Sequence, residues 1–167
     1  APSLGAAYAL KCRECDAITE LDASYACVEC FGPLEVAYAP AQVTRADIEA
    51  GPTSMWRYEA LLPVVPGAGG RPGLQPGLTR LLLADNLAAA LGARAVWVKD
   101  DSGNPTHSFK DRVVAVALEN ARRLGYDTIA CASTGNLANA VAAAAARAGL
   151  KSVVFVPSNL EAGKIVT

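Results

Sequence analysis

Short apolar runs alternate with helix-like patterns in the second half of the chain. Runs at 95–99, 128–132 and 152–156 have the length of strands. Residues 81–91, 109–124 and 137–148 have apolar positions spaced as on one face of a helix. The alternation predicts an α/β fold with a modest three-stranded parallel sheet, which needs cover on both faces.

The helix over 109–124 presents one apolar face to this predicted core, and Gly125 is expected to stop it. The residues of that face are Val113, Val114, Ala117, Leu118 and Ala121.

Lys110 lies in the first turn of this helix, after a loop of turn and capping residues that begins at Ser102. The positive end of the helix, together with any burial, favours the free amine of Lys110 over the ammonium. A free amine condenses with an aldehyde to give a Schiff base, so Lys110 is the best catalytic candidate. The alternative is an ordinary exposed lysine in a first helical turn.

A polar turn, Ser133-Thr-Gly-Asn136, joins the apolar strand at 128–132 to an alanine-rich helix. Its hydroxyl and amide groups can donate hydrogen bonds, and the free N–H groups at the start of the helix attract a carboxylate or phosphate. The turn therefore predicts an anion-binding loop. A simple helix cap is the alternative interpretation.

Together, Asn104-Pro-Thr-His-Ser-Phe-Lys-Asp-Arg112 and Ser133-Thr-Gly-Asn136 resemble threonine synthase, a fold-type II pyridoxal-phosphate enzyme. The cysteine-bearing start of the chain is similar to a subset of that family. The resemblance extends through further segments: Gly51-Pro-Thr-Ser-Met-Trp-Arg-Tyr58, Gly77-Leu-Thr79, Trp97-Val-Lys-Asp-Asp-Ser-Gly103 and Leu150-Lys-Ser-Val-Val-Phe-Val-Pro157.

This resemblance implies roles for the two motifs. Lys110 would form the imine with pyridoxal 5'-phosphate and move protons, and Asn136 would face the 3-hydroxyl of the cofactor. The substrate α-carboxylate would be held by the loop residues Ser133, Thr134, Gly135, Asn136 and Leu137. Asp111 and Arg112 would support the loop before Lys110.

The resemblance also implies a reaction and an architecture. The substrate would be O-phospho-L-homoserine, converted with water to L-threonine and phosphate in threonine biosynthesis. Residues 80–167 would be the N-terminal, truncated portion of a three-layer sandwich with a parallel sheet, in an enzyme that forms a homodimer at full length. The glycine-rich loop for the cofactor phosphate is expected beyond this chain.

The chain departs from the family pattern at two motif positions. His107, the single histidine, stands where the family usually has glycine, and we expect its ring to turn outward. Arg80 stands where the family generally has proline. Lys164 near the end of the chain is either a second phosphate contact or the solvated start of another helix.

Two cysteine pairs, Cys12-Arg-Glu-Cys15 and Cys27-Val-Glu-Cys30, are separated by eleven residues. Paired knuckles of this kind supply four thiolates to one tetrahedral, structural zinc ion. A turn at 22–25 would bring the knuckles face to face. Disulfides, or a site that no longer holds metal, are the alternatives, and Cys131 is expected to be a small core residue.

The whole chain is predicted to comprise a zinc-ribbon-like four-cysteine module (1–40), a connecting segment (41–79) with a loop over 63–76, and the α/β portion. Trp56, Tyr58, Leu61 and Leu62 are expected to pack against the α/β portion. A net charge of −1 and the lack of a bilayer-length apolar run give no support to nucleic-acid or membrane partners. No secretory signal is recognised, which favours a cytoplasmic location.

Two other functions remain open at this stage. One is another fold-type II enzyme, such as a threonine or serine deaminase or a cysteine-synthase-like β-replacement enzyme. The other is a catalytically inactive, zinc-stabilised fragment.

Overall fold

The N-terminal part of the chain is a small antiparallel sheet. The structure is a computed structural model that describes residues 6–40, 43–64, 71 and 73–166. Strand β1 (Ala7–Cys12) lies between β2 (Ile18–Thr19) and β3 (Leu34–Tyr38). An isolated bridge joins Ala26 to Pro33 and closes the turn that carries Cys27 and Cys30. The amide of Arg13 donates to the carbonyl oxygen of Pro33 at 3.1 Å, which joins this turn to the one after β1.

Two short helices follow the sheet. Helix α1 (Arg45–Ala50) begins with a capping box, in which Thr44 accepts from the amide of Asp47 and the Asp47 carboxylate accepts from the amide of Thr44. A 3₁₀ helix (Met55–Leu61) is capped by Ser54. Ala6 donates to the carbonyl oxygen of Ala60, which ties the first strand to the 3₁₀ helix.

Strands β4 (Leu81–Leu83) and β5 (Trp97–Lys99) form an antiparallel pair around helix α2 (Asp85–Leu91). The prediction of a helix over 81–91 is therefore wrong for its first three residues. A run of three leucines suits a helix and a strand equally, and the backbone pairing with β5 selects the strand. Among the described strands, β5 also has no place in the parallel sheet, so the predicted three-stranded sheet is corrected to two strands.

Two parallel strands and two long helices form the α/β part of the chain. Helix α3 (Lys110–Arg123) leads into β6 (Thr128–Ala132), and α4 (Asn136–Ala148) leads into β7 (Lys151–Phe155). These bounds confirm the predicted helices and strands to within one residue. Gly125 and Gly149 follow the two helices with positive φ angles of 82° and 72°, as left-handed helix ends require.

The core lies between α3, α4 and one face of the parallel pair. Val114, Leu118, Ala140, Val141 and Ala144 are buried, and partly buried residues of the strands pack against them. The predicted face of α3 is correct for Val114 and Leu118 but wrong for two others. Val113 and Ala117 are exposed, because α3 turns its 115 side toward the 3₁₀ helix instead.

One face of the parallel pair is covered and the other is open. Ile129 and Cys131 pack against the core, whereas the alternate positions along the strands, such as Val153 and Phe155, are exposed. The expectation that both faces are covered is therefore not met among the described residues. Cys131 is a core residue as predicted, and burial raises the pKa of its thiol.

A second cluster joins the 3₁₀ helix to α3. Trp56 is 5% exposed and packs with Met55, Val64 and Ala115, and Leu62 is partly buried beside them. Tyr58 and Leu61 are each 39% exposed and belong to neither of the two core clusters, so their packing stays a prediction. Within the predicted loop over 63–76, residues 65–70 and 72 lie outside the described residues.

The guanidinium of Arg71 completes this second cluster. It lies 4.3 Å from the ring centroid of Trp56 and pairs with Glu59 at 2.7 Å and Glu119 at 3.2 Å. Among the described residues, no helix has the length and apolar character needed to cross a membrane.

Candidate active site

Lys110 is the first residue of α3 and is half-buried. Its Nζ lies 4.7 Å from the ring centroid of Phe109. Its backbone amide donates to the hydroxyl of Ser108 at 3.1 Å, so a buried serine fixes the start of the helix. No salt bridge engages the amino group of Lys110 within the described part of the chain.

Asp111 holds the loop that precedes Lys110. Its side chain is only 3% exposed, and its two oxygens accept from the amide of Thr106 at 2.7 Å and from the hydroxyl of Thr106 at 2.8 Å. A buried carboxylate with both oxygens engaged fixes the backbone around it. Asp111 therefore supports the loop, as the sequence predicts.

Arg112 connects α3 to the segment around Thr79. Its guanidinium donates to both oxygens of Asp101, at 2.7 and 3.4 Å, and Thr79 donates its hydroxyl to the same carboxylate at 2.7 Å. These hydrogen bonds lower the pKa of Asp101 below its ordinary value. The supporting role predicted for Arg112 is thus confirmed through a partner, Asp101, that the sequence did not single out.

The buried side chain of Asn104 also holds the segment around Thr79 in place. Its Oδ1 accepts from the amide of Gly77 at 3.0 Å, and its Nδ2 donates to the carbonyl of Asp101 at 3.1 Å. Gly77 has a φ of +96°, and a Cβ there would lie 2.8 Å from the backbone nitrogen of Met55. The Gly-Leu-Thr motif therefore needs its glycine for both conformation and space.

The turn Ser133–Asn136 precedes the first turn of α4. The amide of Gly135 donates to the hydroxyl of Ser133 at 3.3 Å, and no side chain caps the helix. The uncapped start of α4 counts against the interpretation of this turn as a simple helix cap. It leaves the first amides of the helix available to an anion.

A cavity of about 540 Å³ opens between this turn, α4 and the loop before Lys110. Ser133 and Thr134 line it, as do Thr106 and His107 from that loop. The structure thus brings the two motifs to one cavity. Among the described residues, its lining does not include the remaining predicted site residues: Lys110, Gly135, Asn136 and Leu137.

The lining also includes residues that the sequence did not indicate as binding residues. Asn139 lies one helical turn after Asn136, and this spacing was the available signal. Lys164 lines the cavity from the short helix α5 (Ala162–Val166) and pairs with Glu161 at 3.3 Å. A helix does begin near 163–164, as predicted.

The four knuckle cysteines form a second candidate site, remote from this cavity in sequence. All four Sγ atoms of Cys12, Cys15, Cys27 and Cys30 lie within 4.8 Å of one another. The closest pairs are 3.4, 3.5 and 3.7 Å apart. Thiolates around a tetrahedral zinc ion are about 3.8 Å apart for a Zn–S distance of about 2.3 Å, whereas a disulfide needs about 2.05 Å.

Backbone amides point at three of these sulfurs. Glu14 donates to Cys12, Glu29 to Cys27 and Gly32 to Cys30, each at 3.4 Å. Amide donors lower the pKa of Cys12 to about 7. The amide of Gly32 acts in the same direction on Cys30, but the neighbouring thiols outweigh it and raise that pKa to about 12. All four cysteines are free thiols, and their arrangement can accommodate one tetrahedral ion.

The four-cysteine region, residues 12–30, is hydrogen-bonded to α3. The guanidinium of Arg123 donates to the carbonyl of Leu21 at 3.1 Å and lies near Asp22. The amide of Ser24 donates to Asp22 at 2.7 Å, which forms the turn that the sequence predicts between the knuckles.

Comparison with known proteins identifies the family of the α/β part of the chain. Residues 74–166 match the family described as pyridoxal-phosphate dependent enzyme, and this match covers more than half of the chain. The chain belongs to this family. The family match contains both the Lys110 helix and the Ser133–Asn136 turn.

Two threonine synthases are similar to this member of the pyridoxal-phosphate dependent family over most of its length. That of Methanosarcina acetivorans is 41% identical over 162 residues, or 95% of this chain and 38% of that protein. That of Methanocaldococcus jannaschii is 34% identical over 151 residues, or 88% of this chain and 37% of that protein. The chain therefore spans less than two fifths of the length of either relative.

A third relative has a different name. The 2-amino-4-ketopentanoate thiolase beta subunit of Acetoanaerobium sticklandii is 41% identical over 88 residues, or 53% of this chain and 19% of that protein. The similarity to the methanogen threonine synthase is as high and nearly twice as long.

Proposed function

We propose that this chain is the lysine-bearing part of a threonine synthase, which converts O-phospho-L-homoserine and water to L-threonine and phosphate. The observation that carries the proposal is the similarity to a threonine synthase over 95% of the chain. Because this alignment omits only about a twentieth of the chain, it includes both the four-cysteine region and the Lys110 helix. Both parts of the chain are therefore similar to the same relative.

The residues present fit a pyridoxal-phosphate site. The amino group of Lys110 has no ion-pair partner in the described residues. The cavity beside the loop before Lys110 is lined in part by hydroxyls and by no described carboxylate. Lys110 would hold the cofactor covalently, and Asn136 would face its 3-hydroxyl. When bound, pyridoxal phosphate supplies an electron-poor ring that stabilises negative charge at the substrate α-carbon.

The chain's own residues bind and orient the substrate. Ser133, Thr134 and the uncapped first turn of α4 hold the α-carboxylate, through hydroxyls and the N–H groups of 136 and 137. This fixes the direction of the Cα–H bond, and the amine of Lys110 takes the α-proton. Loss of a proton from the β-carbon then allows phosphate to leave the γ-carbon. A proton is delivered to the γ-carbon, water adds at the β-carbon, and a proton returns to the α-carbon to give L-threonine.

The anchored loop makes this proton transfer possible. Asp111 accepts a hydrogen bond from Thr106, and Arg112 pairs with Asp101. The loop before Lys110 is therefore fixed to the first turn of α3. A rigid support of this kind keeps the amine within reach of the α-proton.

We also propose that Cys12, Cys15, Cys27 and Cys30 hold a structural zinc ion. The separations of their sulfurs and the three amide donors support it. With four protein sulfurs the ion keeps no open position, so it would stabilise a module over 1–40 and take no part in the chemistry. Residues 41–79 would connect this module to a partial three-layer fold over 80–167, in a homodimeric enzyme.

A second candidate is another pyridoxal-phosphate enzyme that acts on an amino acid. The similarity to the thiolase beta subunit over half of the chain favours it, because one lysine helix can serve different reactions. An inactive, zinc-stabilised fragment is the third possibility.

Product analysis distinguishes these functions. We would incubate the chain with pyridoxal phosphate and O-phospho-L-homoserine and measure phosphate and threonine together, with L-threonine and L-serine as alternative substrates. Equal yields of phosphate and threonine, lost in Lys110→Ala and retained in Lys151→Ala, are expected. Formation of 2-oxobutanoate from L-threonine would instead identify a deaminase, and the absence of any product would assign this chain no turnover.

A further inference from the structure

The backbone of His107 has a left-handed conformation, with a φ of 59°. Non-glycine residues adopt this region infrequently, although histidine does so more readily than most. Two hydrogen bonds hold it there. The amide of His107 donates to the carbonyl of Asn104 at 2.9 Å, and ring Nδ1 lies 2.9 Å from the carbonyl oxygen of Ser102.

The contact with Ser102 fixes which ring nitrogen of His107 is free. A carbonyl oxygen only accepts hydrogen bonds, so Nδ1 must carry the proton that it donates. Nε2 is then the nitrogen left for a ligand, and no described residue bonds to it. It donates to a phosphate oxygen in the imidazolium form, in which both ring nitrogens carry a proton. A ring held at one nitrogen presents the other in a fixed direction.

His107 is exposed, but it lines the cavity, so the expectation that its ring turns outward is not met. A second basic side chain lines the same cavity. Lys164 of α5 lines the same cavity, and none of its described lining residues is acidic. Glu161 pairs with Lys164 at 3.3 Å, but the side chains of Lys164 and Glu161 are 55% and 78% exposed, so this pair is weak and exchangeable. Imidazolium and ammonium groups that line one cavity suit an anionic ligand group.

We propose that His107 and Lys164 bind the phosphate group of the substrate. This inference rests on the proposed function, in which the α-carboxylate occupies the Ser133 turn. A second anionic subsite on the same cavity then requires a second anionic group on the same ligand. Amino acids with a phosphorylated side chain meet this requirement, whereas threonine and serine do not.

The single histidine of the chain gives a direct test by NMR. Its imidazole signals can be followed without assignment ambiguity while the chain, loaded with pyridoxal phosphate, is titrated with O-phospho-L-homoserine, L-homoserine or inorganic phosphate. We expect the signals to move with the two phosphate-bearing probes and to stay in place with L-homoserine. Unmoved signals with saturating O-phospho-L-homoserine would overturn the proposal.

His107→Gly removes the ring and keeps the left-handed backbone without steric cost. The variant should bind O-phospho-L-homoserine roughly ten- to a hundredfold more weakly, as expected for one lost hydrogen bond to a charged group, and L-homoserine equally well. Lys164→Met should act in the same direction, whereas Lys151→Met, which removes another exposed and paired lysine, should not. Equal weakening of both amino acids would assign His107 a structural role only and overturn the proposal.

Two further measurements distinguish a failure of this inference from a failure of the proposed function. Weaker binding of pyridoxal phosphate, but not of pyridoxal, to His107→Gly would place the cofactor phosphate at this subsite and contradict our assignment to the substrate. If the chain yields no threonine while inorganic phosphate still moves the His107 signals, the anion subsite stands and the proposed function fails. If threonine forms and His107→Gly leaves the Kd for O-phospho-L-homoserine unchanged, only the subsite fails.

Discussion

Asp111 is the residue on which the loop before Lys110 depends most. It is buried, and each of its oxygens accepts one hydrogen bond from Thr106. Asp111→Asn replaces one acceptor by a donor that faces another donor, so we expect a loss of about 1–3 kcal/mol in the free energy of unfolding. Urea unfolding measures this loss.

The matched control is Asp127→Asn, because Asp127 is exposed and pairs with Lys151 at the surface. Its free energy of unfolding should change by less than about 0.5 kcal/mol. Equal effects in the two variants would contradict the supporting role of Asp111.

At the residue scale, the sequence predicts local features better than the contacts between them. The motif around Lys110 predicts the lysine, the supporting Asp111 and the turn at Ser133, because these depend on local order along the chain. The partner of Arg112 and the cavity position of His107 could not be predicted. The first is a side-chain contact between residues eleven apart in the chain, and the second depends on a backbone angle that the residue pattern does not predict.

At the scale of elements, the contact between Arg112 and Asp101 joins α3 to the segment before it, and it predicts a pH dependence. The hydrogen bonds from Arg112 and Thr79 lower the pKa of Asp101 in the folded state. A lowered folded-state pKa stabilises the fold fully above the unfolded value of about 3.9, and this stabilisation is lost as the pH falls through the lowered pKa.

Asp101→Asn should therefore cost about 1 kcal/mol at pH 7 and much less at pH 3, because the pair is partly exposed. The measurement is the free energy of unfolding of both proteins at the two pH values. A cost that is the same at pH 7 and pH 3 would show that the charge of Asp101 is unimportant.

The four-cysteine region predicts a dependence on metal. The chain purified under reducing conditions should contain one zinc ion, and Cys15→Ser should lose it and melt at a lower temperature, because the ion's binding energy contributes to folding. Cys131→Ser is the control, since Cys131 lies in β6 and apart from the cluster. Metal analysis that finds no zinc in the wild-type chain, or disulfides in its place, would refute this prediction.

The elements themselves were predictable where the pattern was long. Helices α3 and α4 have enough turns for their periodicity to define them, and their glycine ends mark where they stop. The run at 81–83 is too short to distinguish helix from strand, and its partner strand lies at 97–99, beyond the whole of α2. The residue pattern of the run itself cannot predict that pairing.

At the scale of the whole molecule, one face of the parallel pair is open and apolar. Val153 and Phe155 are 42% and 63% exposed there. The described residues supply helices to one face only, and the chain spans less than two fifths of its threonine synthase relatives. The lysine, its supporting loop and the Ser133 turn nevertheless lie within the part described, so the first chemical step can be tested on this chain.

Covalent labelling of Lys110 by pyridoxal phosphate is the most direct test of the proposed cofactor site. The chain is mixed with the cofactor, the visible band of the lysine-bound form is recorded, and the product is reduced with borohydride and mapped by mass spectrometry. We expect selective labelling of Lys110 that is absent in Lys110→Ala. No visible band, or label spread over Lys99, Lys151 and Lys164, would contradict it.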